Sequence, residues 1–168
     1  MRYGVLALAL AATSGAVVAQ DQPSTSAWGF FEADGGANGA SVEGEDGSHL
    51  VLKCDKPGSR EVYAIVLTAD DRLVPPNDRP YARGITFQFD GRAPKTENWG
   101  FFERYAIAQG KTSDRALARF IISLRGASRV QLRLDAATGA DVEMDFNVTG
   151  ATEAIGRVYE ICKDTPPT

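Results

Sequence analysis

Residues 129–148 read RVQLRLDAATGADVEMDFNV, and the alternation within them decides the fold class. Val130, Leu132 and Leu134 alternate with Arg129, Gln131 and Arg133; beyond a loop at Ala136 to Ala140, Val142, Met144, Phe146 and Val148 alternate with Glu143, Asp145 and Asn147. A period of two marks strands with one face buried and one face wet. Folding the chain about the loop sets Val130 against Phe146, Leu132 against Met144 and Leu134 against Val142, with Arg133 against Glu143 on the wet face. A slip of one residue would bury Arg and Glu and expose every apolar residue, so the pattern specifies a single register.

Helical spacing flanks this hairpin on both sides. Leu117, Phe120, Ile121 and Leu124 predict a helix over about Ser113 to Arg125, capped by Ser113 and stopped by Gly126. Ile155, Val158, Tyr159 and Cys162 predict a second over about Thr152 to Lys163, with Cys162 facing the core.

Upstream, Trp28 to Glu32 reads as a strand, Asp34 to Gly39 as a Gly-rich turn, Ala40 to Glu43 as its return and Glu45-Asp46-Gly47 as another turn. In His49 to Cys54, Leu50, Leu52 and Cys54 share the inward face, while Val51 and Lys53 point away. Glu61 to Thr68 is apolar at almost every position, which predicts a central strand covered on both faces. Asp70-Asp71, Pro75-Pro76 and Pro80 make residues 69–83 a long surface loop. Ile85, Phe87 and Phe89 then alternate with polar residues, Asp90-Gly91 turns the chain, and a loop over 92–98 leads to a strand from Trp99 to Ile107. The expected fold is α+β: a largely antiparallel sheet or sandwich with two helices packed on it.

The first 19 residues have the form of a secretory signal peptide. Arg2 supplies the positive charge, Val5 to Ala12 the apolar run, and Val17 and Ala19 the small side chains before a cut between Ala19 and Gln20. The apolar run is too short to span a bilayer, no stop-transfer pattern follows, and no Cys stands at the cut to receive lipid, all of which argue against a retained anchor. Gln20 to Ser26 is a polar linker, residues 27–164 form one domain and 165–168 a short tail. Cleavage leaves 149 residues, enough for a single domain with its own core. The leader holds only Arg2 among charged residues, so the mature chain has 17 basic and 22 acidic residues and a net charge of −5. Arg and Lys are dispersed among Asp and Glu, which gives no support to nucleic-acid binding. No later run is long and apolar enough for an integral membrane segment, and the localisation expected is periplasmic or secreted.

In an exported chain, the only two cysteines, Cys54 and Cys162, predict a disulfide rather than a redox or metal site; the alternative is two separate buried thiols. The bond would tie the C-terminal helix to the sheet and close a loop of 108 residues.

Motifs that carry chemistry are scarce. His49 is the only histidine, and no His, Cys or carboxylate cluster has metal-ligand spacing. Asp34, Glu43, Glu45 and Asp46 lack the calcium-loop pattern and read as solvated turns. Gly110-Lys111-Thr112 resembles the end of a phosphate loop, but Tyr105 stands where its first glycine belongs. Nucleophile motifs of the GxSxG and SxxK kinds are missing, so no catalytic, cofactor or metal residue is assigned. Trp28-Gly29-Phe30-Phe31-Glu32 recurs as Trp99-Gly100-Phe101-Phe102-Glu103 with flanks that do not align, which suits two strands under similar packing demands better than a duplication.

The order of features resembles small bacterial envelope proteins: the type VI secretion-associated accessory proteins and, more distantly, the invasion-associated locus B proteins. The residues that carry it are Trp28, Leu50-Val51-Leu52-Lys53-Cys54, Phe87-Gln88-Phe89-Asp90 before Trp99, Ala118 to Leu124 leading into Val130 to Leu134, and Asp145-Phe146-Asn147-Val148-Thr149-Gly150 before a helix ending in Cys162. It covers nearly the whole mature chain, and the Pro-rich loop 69–83 departs from it. The resemblance implies a non-enzymatic periplasmic domain with a disulfide near its C-terminus and no catalytic residues to carry over.

The function expected is therefore a non-catalytic binding or assembly-accessory domain, with another envelope protein as its partner. The alternatives are an envelope hydrolase using an Asp/Glu pair on glycan or peptidoglycan, for which gathering of carboxylates in one cleft is the discriminator, and a small-ligand carrier, which needs an apolar pocket. Long loops on a rigid scaffold often carry recognition, which makes Arg72, Arg79, Tyr81, Arg83 and Arg92, in the loops 69–83 and 90–98, the candidate recognition residues.

Overall fold

The computed structural model describes residues 27–32, 36–69, 71–75, 79–108, 114–137 and 139–168. The leader and its cleavage position, the linker 20–26, Asp34, the Gly110-Lys111-Thr112 segment and the Ser113 cap lie outside the described residues.

The predicted hairpin forms in the expected register. β8 (Arg129–Leu134) and β9 (Val142–Asn147) pair Val130 with Phe146, Leu132 with Met144, Leu134 with Val142 and Arg133 with Glu143. Seven further strands complete one antiparallel sheet: β1 (Gly29–Glu32), β2 (Asn38–Glu43), β3 (His49–Cys54), β4 (Tyr63–Leu67), β5 (Tyr81–Phe89), β6 (Lys95–Phe101) and β7 (Tyr105–Ala108). Their order is β1-β2-β3-β4-β7-β6-β5-β8-β9. The sheet curls until its ends meet, where the Ala27 N–H donates to Thr149 O at 3.1 Å and Trp28 Nε1 donates to Val148 O at 3.2 Å.

Two helices cover one face of this sheet. α1 (Asp114–Leu124) packs on β6 and β7, and α2 (Ala151–Cys162) on β2 and β3. Phe120 of α1 sits among three sheet aromatics, its ring centroid 5.2 Å from Trp99, 5.5 Å from Phe87 and 5.7 Å from Phe89. The contacts with Trp99 and Phe87 are edge-on, matching the positive ring edge of one aromatic to the negative face of the next. Cys54 and Cys162 face inward, as the two periodicities require, and form the disulfide with their Cα atoms 6.0 Å apart. Beside it, the N–H groups of Gly58 and Arg60 donate to Ile161 O and Cys162 O, so the loop after β3 satisfies carbonyls that the end of α2 leaves open.

Three expectations need correction. β4 is central but fully covered on one face only: Ala64 and Val66 are buried, whereas on the other face Tyr63 is buried, Ile65 is half-buried and Leu67 is 38% exposed, because both helices lie on the first side. The segment from 69 to 83 is neither wholly loop nor wholly surface. β5 already begins at Tyr81, and Leu73 and Val74 are buried, tied by Leu73 N–H to Glu103 O and by Ala137 N–H to Leu73 O, both at 2.8 Å. The run from Trp99 to Ile107 is two strands, β6 and β7, turning at Phe102 to Arg104, and β6 starts at Lys95 inside the expected loop. Lys95, Thr96, Glu97 and Asn98 lack apolar alternation because Lys95, Thr96 and Asn98 are exposed and the inward position is taken by Glu97, paired with Arg119 of α1; pairing with Gly84 to Phe87 holds the strand.

Candidate functional site

The wet faces of β5, β8 and β9 form a grid whose layout follows from register alone. Thr86, Arg133 and Glu143 are successive cross-strand partners, and so are Gln88, Gln131 and Asp145. Since alternate residues share a face, these six side chains stand together on the outside of the sheet. They floor a groove of about 570 Å³. One wall is the turn carrying Glu45 and Asp46; Pro94, after β5, contributes to the other side.

Gly44 lets that first wall stand close to β9. A Cβ there would lie 2.7 Å from Ser48 Oγ, 2.8 Å from Asp46 Oδ1 and 3.1 Å from Asp145 O, all tighter than ordinary contacts. Asp46 Oδ1 accepts the Ser48 N–H at 3.0 Å and the Ser48 hydroxyl at 2.5 Å, which closes the turn.

The donors on the floor are engaged within the protein. Gln131 Nε2 donates to Asp145 Oδ2 at 3.1 Å and Gln88 Nε2 to Arg92 O at 2.8 Å. Arg133 pairs with Asp141 at 3.5 Å. Arg129 Nε donates to Asp145 Oδ1 at 2.7 Å, and its Nη2 donates to Asp145 Oδ2. That two-toothed contact holds the Asp145 carboxyl below its ordinary range, against the opposing effect of burial. An acid kept ionised is the reverse of what protonating a leaving group needs.

The residues singled out from the two loops do not converge. Residues 79 and 80 enter β5 at Tyr81 and the 90–94 turn leaves it after Phe89, so the two loops lie at opposite ends of a strand about 26 Å long, at ~3.3 Å per residue. Arg72 pairs with Glu103 at 2.5 Å. Arg83 is a structural clasp: its Nη2 meets Asp135 Oδ1 at 2.6 Å and Ala136 O at 3.4 Å, and its Nε donates to Asp135 O. Tyr81 lies on β5 beside it, with the Arg83 guanidinium 5.8 Å from its ring centroid. Arg92 stands 3.9 Å from Asp90, and Arg79 is exposed.

His49 is half-buried in β3, opposite Glu43 and Leu67. Among the described residues, no group of three or more His, Cys, Asp or Glu side chains could hold a metal ion. Both tryptophans of the repeated pentapeptide are buried, but Trp28 precedes the edge strand β1 while Trp99 lies within the interior strand β6. No helix among the described residues is long and apolar enough to cross a membrane. The chain matches no family model, no curated protein and no solved structure.

Proposed function

We propose that this protein is an exported, non-catalytic binding module that receives its partner, another envelope protein, in the groove over β5, β8 and β9. The observation that carries the reading is the six-residue grid, whose positions are set by a three-stranded ladder rather than by mobile loops, and whose best-anchored carboxylate, Asp145, is tied down by Arg129. Such a surface is preorganised for recognition and poorly suited to proton transfer. The leader-like N-terminus, the disulfide across 108 residues and the resemblance to periplasmic accessory domains all support export.

One observation favours a second reading, a hydrolase acting on glycan or peptidoglycan: Glu45, Asp46, Glu143 and Asp145 all border the same groove. Asp145 and Asp46 are already hydrogen-bonded, which leaves Glu45 and Glu143 as the candidate pair.

One experiment separates the two. The purified protein and a Gln88→Ala/Gln131→Ala/Glu143→Ala variant are mixed with solubilised envelope under non-reducing conditions, and both the bound and the released fractions go to mass spectrometry. A stoichiometric protein partner lost in the variant supports the binding module. Glycan fragments released by the wild type and abolished by Glu143→Gln establish the hydrolase instead. A partner held equally well by the variant would sink the groove as the recognition surface.

A further inference from the structure

Both helices lie on the other side of the sheet from the groove, so the outer face of β5, β8 and β9 is left uncovered, and its charges do not balance. Asp145 is met by Arg129, Asp141 by Arg133 and Asp90 by Arg92. Three more carboxylates line the groove, Glu45 and Asp46 on its wall and Glu143 on its floor. Asp46 is bonded to the uncharged Ser48, and Glu45 lies in the field of Arg129, which Asp145 already engages through two nitrogens. Glu143 stands opposite Arg133, but that guanidinium is turned to Asp141. The groove therefore carries an excess of negative charge.

The fold draws these anions together. A Cβ on residue 44 would lie 3.1 Å from Asp145 O, so a glycine is what lets the acidic turn sit against the strand that bears Glu143 and Asp145. Like charges held in this way repel one another at the expense of the free protein's stability. They are also spread along the groove rather than gathered at a point: among the described residues no three His, Cys, Asp or Glu side chains converge as a metal site requires. Glu143 and Asp145, two residues apart on β9, are separated along the strand by ~7 Å.

We infer that the groove receives an extended, lysine- or arginine-bearing segment of its partner protein, an inference that rests on the binding-module reading above. Alternate residues of an extended chain repeat at the same ~7 Å, so one cation can meet Glu143 while the next meets the end of the groove where Glu45 and Asp145 share a single guanidinium. A second copy of this chain would bring the same excess of negative charge to the contact, and so would a nucleic acid.

The test is fluorescence polarisation of the purified protein with a labelled octapeptide of alternating lysine and serine, against the same peptide carrying glutamine in place of lysine. The lysine peptide is expected to bind saturably below about 1 mM at low salt, and several-fold more weakly at ~150 mM salt. Glu45→Gln/Glu143→Gln is expected to weaken it about tenfold or more and, with the repulsion relieved, to melt no lower than the wild type at low salt. Glu153→Gln/Glu160→Gln removes two exposed charges from α2 instead and is expected to change binding by less than about twofold. No saturable binding of the lysine peptide would overturn the inference, as would equal binding of the glutamine peptide or equal losses in the two variants. A groove variant that melts lower would overturn it too, since the carboxylates would then be serving the fold. If the groove variant lost the captured envelope partner while the lysine peptide failed to bind, the groove would stand as the recognition surface and the basic segment would be refuted.

Discussion

Arg129 and Asp145 stand diagonally across the β8–β9 pair, and Asp145 accepts from both Nε and Nη2 of the one guanidinium. Because Asp145 is held below its ordinary range, its ionised form favours the folded state. The contribution is complete above the unfolded carboxylate value of ~3.9 and disappears as pH falls through the lower folded value. Thermal melts from about pH 6 to about pH 2 are therefore expected to show a shallower acid loss for Asp145→Asn than for the wild type, since the variant lacks that proton uptake. Both side chains are partly exposed, 64% and 35%, so salt should shrink the difference. Identical acid slopes at low salt would show that the pair is not formed in solution.

The disulfide is the covalent tie between the sheet and α2. Closing 108 residues contributes about 4–5 kcal/mol in the chain-entropy model. Cys54→Ala/Cys162→Ala is expected to lose about 2–5 kcal/mol by urea titration, and the wild type in reductant to converge on the variant once both sulfurs are reduced. The end of α2 should loosen first, because Gly58 and Arg60 hold its carbonyls from the loop that directly follows Cys54. Amide exchange that accelerates evenly over all of α2 would contradict that order.

How much of this was legible in the sequence depends on the range of the interactions. The β8–β9 register, both helices and the inward cysteines follow from periodicity over fewer than twenty residues, and each is borne out. The β4–β7 and β5–β8 neighbours were not legible, because pairing across some forty residues leaves no local signature. The candidate groove depends on β5 lying beside β8, so only its Arg133–Glu143 and Gln131–Asp145 pairs could be read from the hairpin alone, and Thr86 and Gln88 could not. β6 hid for a different reason: its first four residues, Lys95 to Asn98, are polar; Lys95, Thr96 and Asn98 are exposed, and the inward position is taken by Glu97, which pairs with Arg119 of α1. Arg83 looked like a loop cation because nothing in the sequence shows that the carbonyls of Asp135 and Ala136 end beside it.

Leu73 turns what reads as a surface loop into a structural segment. With Leu73 fully buried and its backbone bonded to Glu103 and Ala137, Leu73→Ala is expected to cost about 2–5 kcal/mol in a urea titration. Arg79→Ala, exposed in the same connection, should leave the midpoint unchanged. Equal, small effects at both positions would return the segment to the status of a plain surface loop.

Gly44 offers the most direct check on the groove wall. The clash distances around a Cβ at this position involve Ser48, Asp46 and the β9 backbone, so neither side can retreat without opening the turn or moving β9. Gly44→Ala is expected to lose about 1–3 kcal/mol and to weaken whatever the groove binds, because Glu45 and Asp46 shift with the turn. Gly156→Ala supplies the opposite sign: it lies on the exposed side of α2 with nothing within 4 Å of a Cβ, so the gain in helix propensity should stabilise by about 0.5–1 kcal/mol. Measured together by chemical denaturation, the pair separates a packing clash from a general effect of replacing glycine. If Gly44→Ala proved as stable as the wild type, the turn would not be seated against β9, and the groove would be an open face without that wall.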